Sequence, residues 1–256
     1  MNTRALWQRV DAAPMRLISI GIGIAITLRS LHLCFYTDHL ENSALLFPFY
    51  GFGWLPRLPG VLALPFLFGV VGCMVWATSN RSSSRYGAIL GGLAFTYYFL
   101  LDASFFGHLN YALAWCGFFL MLAPPVMHDG DRVPSWMIIA PRLLFAVLYF
   151  FAGVVKFYPE WLDGSVILIF MKNSDMPAAV FGWFSTQPVP SVLATAGALF
   201  DLTIGPLLLW PKTRRFALIA AVGFHASNML LVGIYLLPTC FIVLMVTVFC
   251  QPSTAR

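Results

Sequence analysis

The sequence predicts an all-α fold, a polytopic bundle of about eight transmembrane helices with both termini cytoplasmic, and three observations predict it. Hydrophobic residues fill 60% of the 256 positions and charged residues only 10%, with a mean hydropathy of +0.82, whereas soluble domains are roughly 25% charged. The apolar segments follow one another almost end to end, leaving no charged, amphipathic stretch long enough for a soluble module. The basic residues are also segregated. Between the apolar runs, one side collects Arg4, Arg9, Arg16, Arg81, Arg85, Arg132, Lys212, Arg214, Arg215 and Arg256, and the other only Arg57 and Lys172, the asymmetry that orients membrane proteins. Residues 1–256 therefore read as a single membrane domain.

A helix needs about 20 residues to cross the hydrocarbon core, and lipid admits only segments that satisfy their own backbone hydrogen bonds. The first such segment, Leu17 to Tyr36, follows Arg4, Arg9 and Arg16 like a signal peptide, but it runs on without a small-residue cleavage site and is expected to be a retained span. Leu58 to Thr78, Gly87 to Phe106, Tyr111 to Pro125, Trp136 to Phe157, Val192 to Trp210, Phe216 to Gly233 and Leu236 to Cys250 follow, the fourth and last of the eight being short. From Phe216 to Cys250 a straight helix would measure about 50 Å, so a turn is required near Gly233 to Pro238. The long connections Thr37 to Arg57 and Tyr158 to Ser191 are expected to be interfacial; Val166 to Met171 in the second is apolar but too short to span, so it should lie along the surface or re-enter.

Other features narrow the function. The net charge of +5 is explained by orientation and implies no nucleic-acid partner; the cysteines Cys34, Cys73, Cys116, Cys240 and Cys250 lack the spacing of a disulfide framework or metal site and read as packing residues. No internal repeat is present, which disfavours transporters built from duplicated halves. The Gly87 to Gly91 spacing suits close helix packing. Histidines and carboxylates show no ligand spacing, so no metal is expected.

An ionisable side chain within a span costs at least ~2.5 kcal/mol on insertion scales and so needs a partner, a cavity or an interface. The candidates are Arg29, Asp102, His108, Arg142, Lys156, Asp201 and His225, joined by Asn110 and Asn228. With the first span entering from inside, His108, Lys156 and the His225/Asn228 face can share the outer half of the bundle, and a polar pocket open to the external side is expected. Each residue carries a structural alternative. Lys156 can snorkel to the interface, Arg29, Asp102 and Asp201 can be structural ion-pair partners, His108 can be interfacial, and His225 with Asn228 can be an interhelical hydrogen-bonding patch. Arg142, following Pro141, reads as a cytoplasmic anchor.

The stretch YFFAGVVKFYPEWLDG, Tyr149 to Gly164, resembles the signature of vitamin K-dependent gamma-carboxylases and their bacterial relatives within the horizontally transferred transmembrane (HTTM) domain family; the matching residues are Phe151, Ala152, Gly153, Lys156, Glu160, Trp161 and Gly164. A second block, Asp201 to Ile234, is similar to the family's Asp-Leu start, basic turn and Phe-His-x-x-Asn helix. A weaker third, FFGHLNYALAW from Phe105 to Trp115, matches at His108, with Gly107 where the family has Asn. The family's characterised carboxylases carry a large lumenal portion that recognises a propeptide. Since this sequence ends just after its last span, it is expected to be a short bacterial-type member without that portion.

The resemblance implies an integral membrane enzyme, dependent on quinol and oxygen, in the inner (cytoplasmic) membrane of a bacterium, with its active site toward the external side. Reduced vitamin K or a menaquinol-type quinol and O2 are the implied cofactors, with CO2 if the reaction is carboxylation. Besides membrane lipid, the implied partners are a peptide or small-molecule substrate and a soluble protein restoring substrate recognition. Lys156 takes the position of the base that deprotonates the quinol, and His108 that of a hydrogen-bonding or proton-transfer group; His225, Asn228, Asn110 and Trp161 are candidates for holding the cofactor. A lysine with an ordinary pKa near ~10.4 becomes a base at neutral pH only when desolvated, and the aromatic Phe150 to Tyr158 segment offers such surroundings. The competing expectation is a non-enzymatic membrane partner in peptide or toxin maturation, export or assembly, using the same scaffold.

Overall fold

A computed structural model describes residues 6–37, 47, 49–105, 107–128, 130–174 and 176–250 and is 73% helical. The chain forms two compact units, which divide between Pro141 and Arg142.

The first unit contains β1 (Arg9–Asp11), α1 (Ala13–Leu33), α2 (Gly60–Ala77), α3 (Ser84–Leu100), α4 (His108–Leu122), β2 (Arg132–Pro134) and the start of α5 (Trp136–Val154). Helix α3 packs on α2 and α4, and α1 packs on α2 and α4 in turn. Glycines set how closely the backbones approach. A Cβ on Gly87 would come within 2.6 Å of the Cys73 carbonyl oxygen in α2, and one on Gly92 within 3.2 Å of the Gly117 oxygen in α4; Gly91 abuts Met74 and Cys73. The small-residue spacing expected to serve packing does so. The sequence reading missed the short antiparallel ribbon of β1 with β2, in register Val10↔Val133, which ties the segment before α1 to the one before α5.

The second unit comprises the rest of α5 with α6 (Pro159–Leu162), α7 (Ser165–Lys172), α8 (Ala178–Phe184), α9 (Val189–Leu209), α10 (Arg214–Val232) and α11 (Leu236–Phe249). Helices α9, α10 and α11 pack in sequence, α6 and α7 dock on α9, and α7 also touches α10. Helix α5 closes on α9 through glycine, since a Cβ on Gly205 would lie 2.8 Å from the Ala146 oxygen and one on Gly153 2.7 Å from Leu202 N. The turn required after Phe216 falls at Gly233, whose φ of +68° ends α10 in the left-handed conformation that glycine adopts without a Cβ penalty. Val166 to Met171 lies inside α7, eight residues or about 12 Å long.

Each of the eight segments expected to span contains a helix, but the third, expected to run to Phe106, ends at Leu100. Among the described residues, Ala13–Tyr36, α2, α5 and α9 are long and apolar enough to cross a membrane, while α4 and α11 are shorter apolar helices. Only 22% of the most apolar stretch of α2 is buried inside the protein, so its outer face is matched to lipid rather than water. The chain is an integral membrane protein. All five cysteines are free thiols; Cys116 and Cys240 are buried as packing residues, Cys34 and Cys73 are half-buried, and Cys250 is exposed, which corrects the packing reading there.

Candidate functional site

The second unit gathers most of the polar groups singled out from sequence. Helix α5 ends at Val154, and one further turn, closed by the Lys156 N–H to the Gly153 carbonyl at 3.0 Å, carries Lys156 just past the helix. There its ammonium forms an ion pair with Asp201 of α9. Asp201 is one of the three residues expected to form structural ion pairs, and Lys156 is its partner. The Lys156 side chain is 19% exposed and that of Asp201 5%. The ammonium also lies 4.9 Å from the centre of the Trp161 ring, a cation–π contact strengthened by exclusion of water.

Trp161 is fixed in turn. Its indole N–H donates to the Ala194 carbonyl in α9 at 3.1 Å, and Gly164, with φ of +86°, brings the chain so close to Pro190 that a Cβ would meet Pro190 at 2.4 Å. The ordered signature from Lys156 to Gly164 thus folds back on α9, whose middle supplies Asp201.

A second pair lies in the same unit. The Tyr149 hydroxyl and His225 Nε2 are 2.6 Å apart and buried. His225 stacks on Phe241 at 5.2 Å, and Tyr149 meets Phe200 and Phe241 edge-on or tilted. His225 Nδ1 is buried without a hydrogen-bond partner among the described residues. Whichever tautomer the Tyr149 contact selects, one ring nitrogen remains an unused donor or acceptor, and such groups are rare in native interiors. Asn228, one turn further along α10, is half-buried.

Tyr149 was not singled out from sequence as a functional residue, although it opens the signature and stands seven positions, two helical turns, before Lys156. Arg142, expected as a cytoplasmic anchor, is instead buried, and its Nε donates to the Val248 carbonyl at the C-terminus of α11 at 3.0 Å. Arg214 does the same for α9, donating to the Leu208 and Leu209 carbonyls at 3.0 and 3.2 Å. Both satisfy carbonyls that a helix end leaves open.

The remaining candidates belong to the first unit. His108 begins α4 and is exposed. Asn110 is buried, and its Oδ1 accepts from Arg29 Nε at 2.7 Å, while Arg29 Nη1 donates to His32 Nδ1 at 2.8 Å. This Arg29–Asn110 bond joins α1 to α4, and His32 is a partner the sequence reading missed. Asp102, fully buried, accepts from the backbone N–H groups of Ser104 at 2.9 Å and Phe47 at 3.3 Å, anchoring the turn after α3.

The family model described as HTTM domain matches residues 7–253, nearly the whole chain. The chain belongs to the HTTM domain family. HTTM domains are found in vitamin K-dependent carboxylase-related proteins, and the ordered blocks around Lys156 and His225 fall within the matched residues. No solved structure matches the chain.

Proposed function

We propose that this HTTM protein is a quinol- and oxygen-dependent enzyme of a bacterial inner membrane, resembling vitamin K-dependent carboxylases and modifying a peptide or small substrate at the external face. In this reading all eight long helices cross the bilayer and both termini are cytoplasmic. The observation that carries it is the Lys156–Asp201 pair, roofed by Trp161, with the Tyr149–His225 pair in the same unit.

The residues fit a quinol on one structural ground. His225 Nδ1 is a buried polar atom without a hydrogen-bond partner among the described residues, set among aromatic rings that suit a planar ligand. His225 and Asn228 would hold the quinol, which supplies an acidic hydroxyl and two electrons for reaction with O2. Lys156 is the base, and Asp201 gives its proton a destination. Transfer of the ammonium proton to that carboxylate leaves an amine able to accept a hydroxyl proton. Trp161 covers one side of that amine, and Tyr149 fixes the orientation of the His225 ring.

The test is to incubate purified protein with reduced vitamin K or menaquinol and oxygen and to measure quinone epoxide by mass spectrometry. Epoxide should form only with both reactants present and fall by about 10²–10⁴-fold in Lys156→Ala, the range for a lost general base. Unchanged production in that variant eliminates Lys156 as the base. Absence of quinone binding altogether favours the scaffold reading, in which the same ion pair only fastens the end of α5 to α9.

A further inference from the structure

The first unit contains a cavity unrelated to the Lys156 cluster. It lies at the end of the unit where α1 and α3 begin and α2 and α4 finish, and measures about 50 Å³, room for about four water molecules at one probe sphere each. That suits a small tetrahedral group rather than a quinone ring. The exposed Arg16 and Arg85 line it together with the polar side chains of Ser19, Thr78, Asn80 and Ser84, and among the described residues no carboxylate does. Among the described residues neither guanidinium has a hydrogen-bond or ion-pair partner.

The walls are held by bonds that leave the arginines uncommitted. Asn80, at φ of +53°, accepts the Met127 N–H on its Oδ1 at 3.0 Å, and the Ser84 hydroxyl donates to the Pro125 carbonyl at 2.8 Å. These two contacts clamp the turn between α2 and α3 onto the segment after α4. The 17-residue helix α3 starts at the cavity with no acidic residue in its first turn and no side-chain cap, so its positive end adds to the field of the two arginines.

We infer that this cavity is a binding site for a phosphate-bearing anion, held between Arg16 and Arg85 at the polar end of the helices. Two guanidinium groups without a partner among the described residues, beside the Asn80 amide, are donors of the kind that phosphate oxygens accept from, while the Ser19, Thr78 and Ser84 hydroxyls donate to the Met15, Val75 and Pro125 carbonyls and serve only as polar walls. The phosphate can belong to an anionic lipid headgroup or be free in solution, and the two sources are separable.

Purified full-length protein in detergent is analysed by native mass spectrometry with phosphatidylglycerol or phosphatidylcholine, and by thermal unfolding with millimolar inorganic phosphate. A lipid site is expected to retain phosphatidylglycerol over phosphatidylcholine, and that retention should weaken by about tenfold or more in Arg16→Gln and in Arg85→Gln, the loss of one charge-assisted bond, but not in Arg215→Gln. A free-phosphate site is expected to stabilise the wild type with inorganic phosphate, an effect lost in the same two variants. The inference is overturned if wild-type protein shows neither headgroup preference nor phosphate stabilisation, a measurement that needs no variant to fold. It is equally overturned if either effect persists undiminished in both folded arginine variants.

Discussion

Removing either half of the Lys156–Asp201 pair is expected to destabilise the second unit, and by unequal amounts. Both side chains are under a third exposed, so solvent screens the pair little, but the carboxylate is 5% exposed and the ammonium 19%. Breaking a buried pair costs up to about 3–5 kcal/mol because a charge is left uncompensated. In Lys156→Gln the stranded charge is the carboxylate, which has no route to water, and the loss should be about 3 kcal/mol. In Asp201→Asn the lysine can extend outward along its flexible stem, and the loss should be about 2 kcal/mol. The double variant strands no charge and should lose only about 2 kcal/mol, giving a coupling of about 3 kcal/mol in a double-mutant cycle. Measured by thermal unfolding of purified protein, with about 2–4 °C per kcal/mol, the single variants should melt on the order of 4–12 °C lower. Additivity of the two substitutions within about 0.5 kcal/mol, or equal small losses like those of surface pairs, would refute the reasoning.

Three further outcomes follow from the same geometry. Gly153→Ala should destabilise by about 1–3 kcal/mol, since its Cβ meets the backbone of Leu202 and α5 must move away from α9; Gly182→Ala, with nothing within 4 Å, should melt near wild type. Tyr149→Phe leaves both nitrogens of a buried imidazole unpaired and should lower stability by about 1–3 kcal/mol, read in the same unfolding assay. Asp163, whose carboxylate accepts the Ser165 N–H at the start of α7, is held below its ordinary pKa of 3.8 by that bond. Its contribution is therefore full above the unfolded-state pKa and disappears as pH falls through the lower folded value, so the acid limb of a stability profile should flatten in Asp163→Ala.

The helical fold was legible because lipid imposes it. Eight apolar runs, one demanding a turn that falls at Gly233, left little freedom. The β1–β2 ribbon was not legible, since RVD and RVP are three-residue strands whose pairing depends on where two distant segments end. Asp201 was recognised as an ion-pair residue without its partner, because 45 residues of intervening chain hide the match with Lys156. Arg142 and Arg214 turn inward to satisfy helix-end carbonyls, a use that sequence does not distinguish from a charge held at the membrane surface. The Tyr149–His225 contact carried a usable signal, the two-turn spacing of Tyr149 from Lys156, that the aromatic crowding of Tyr149 to Tyr158 obscured.

The distance in sequence between lysine and aspartate also sets an order of events during biosynthesis. The cation is translated 45 residues ahead of its counter-ion, which at about 5–20 residues per second means roughly 2–9 s on the ribosome. The segment from Lys156 to Gly164 therefore leaves the ribosome before the helix it packs on, and the charged centre is completed only once Asp201 has been made.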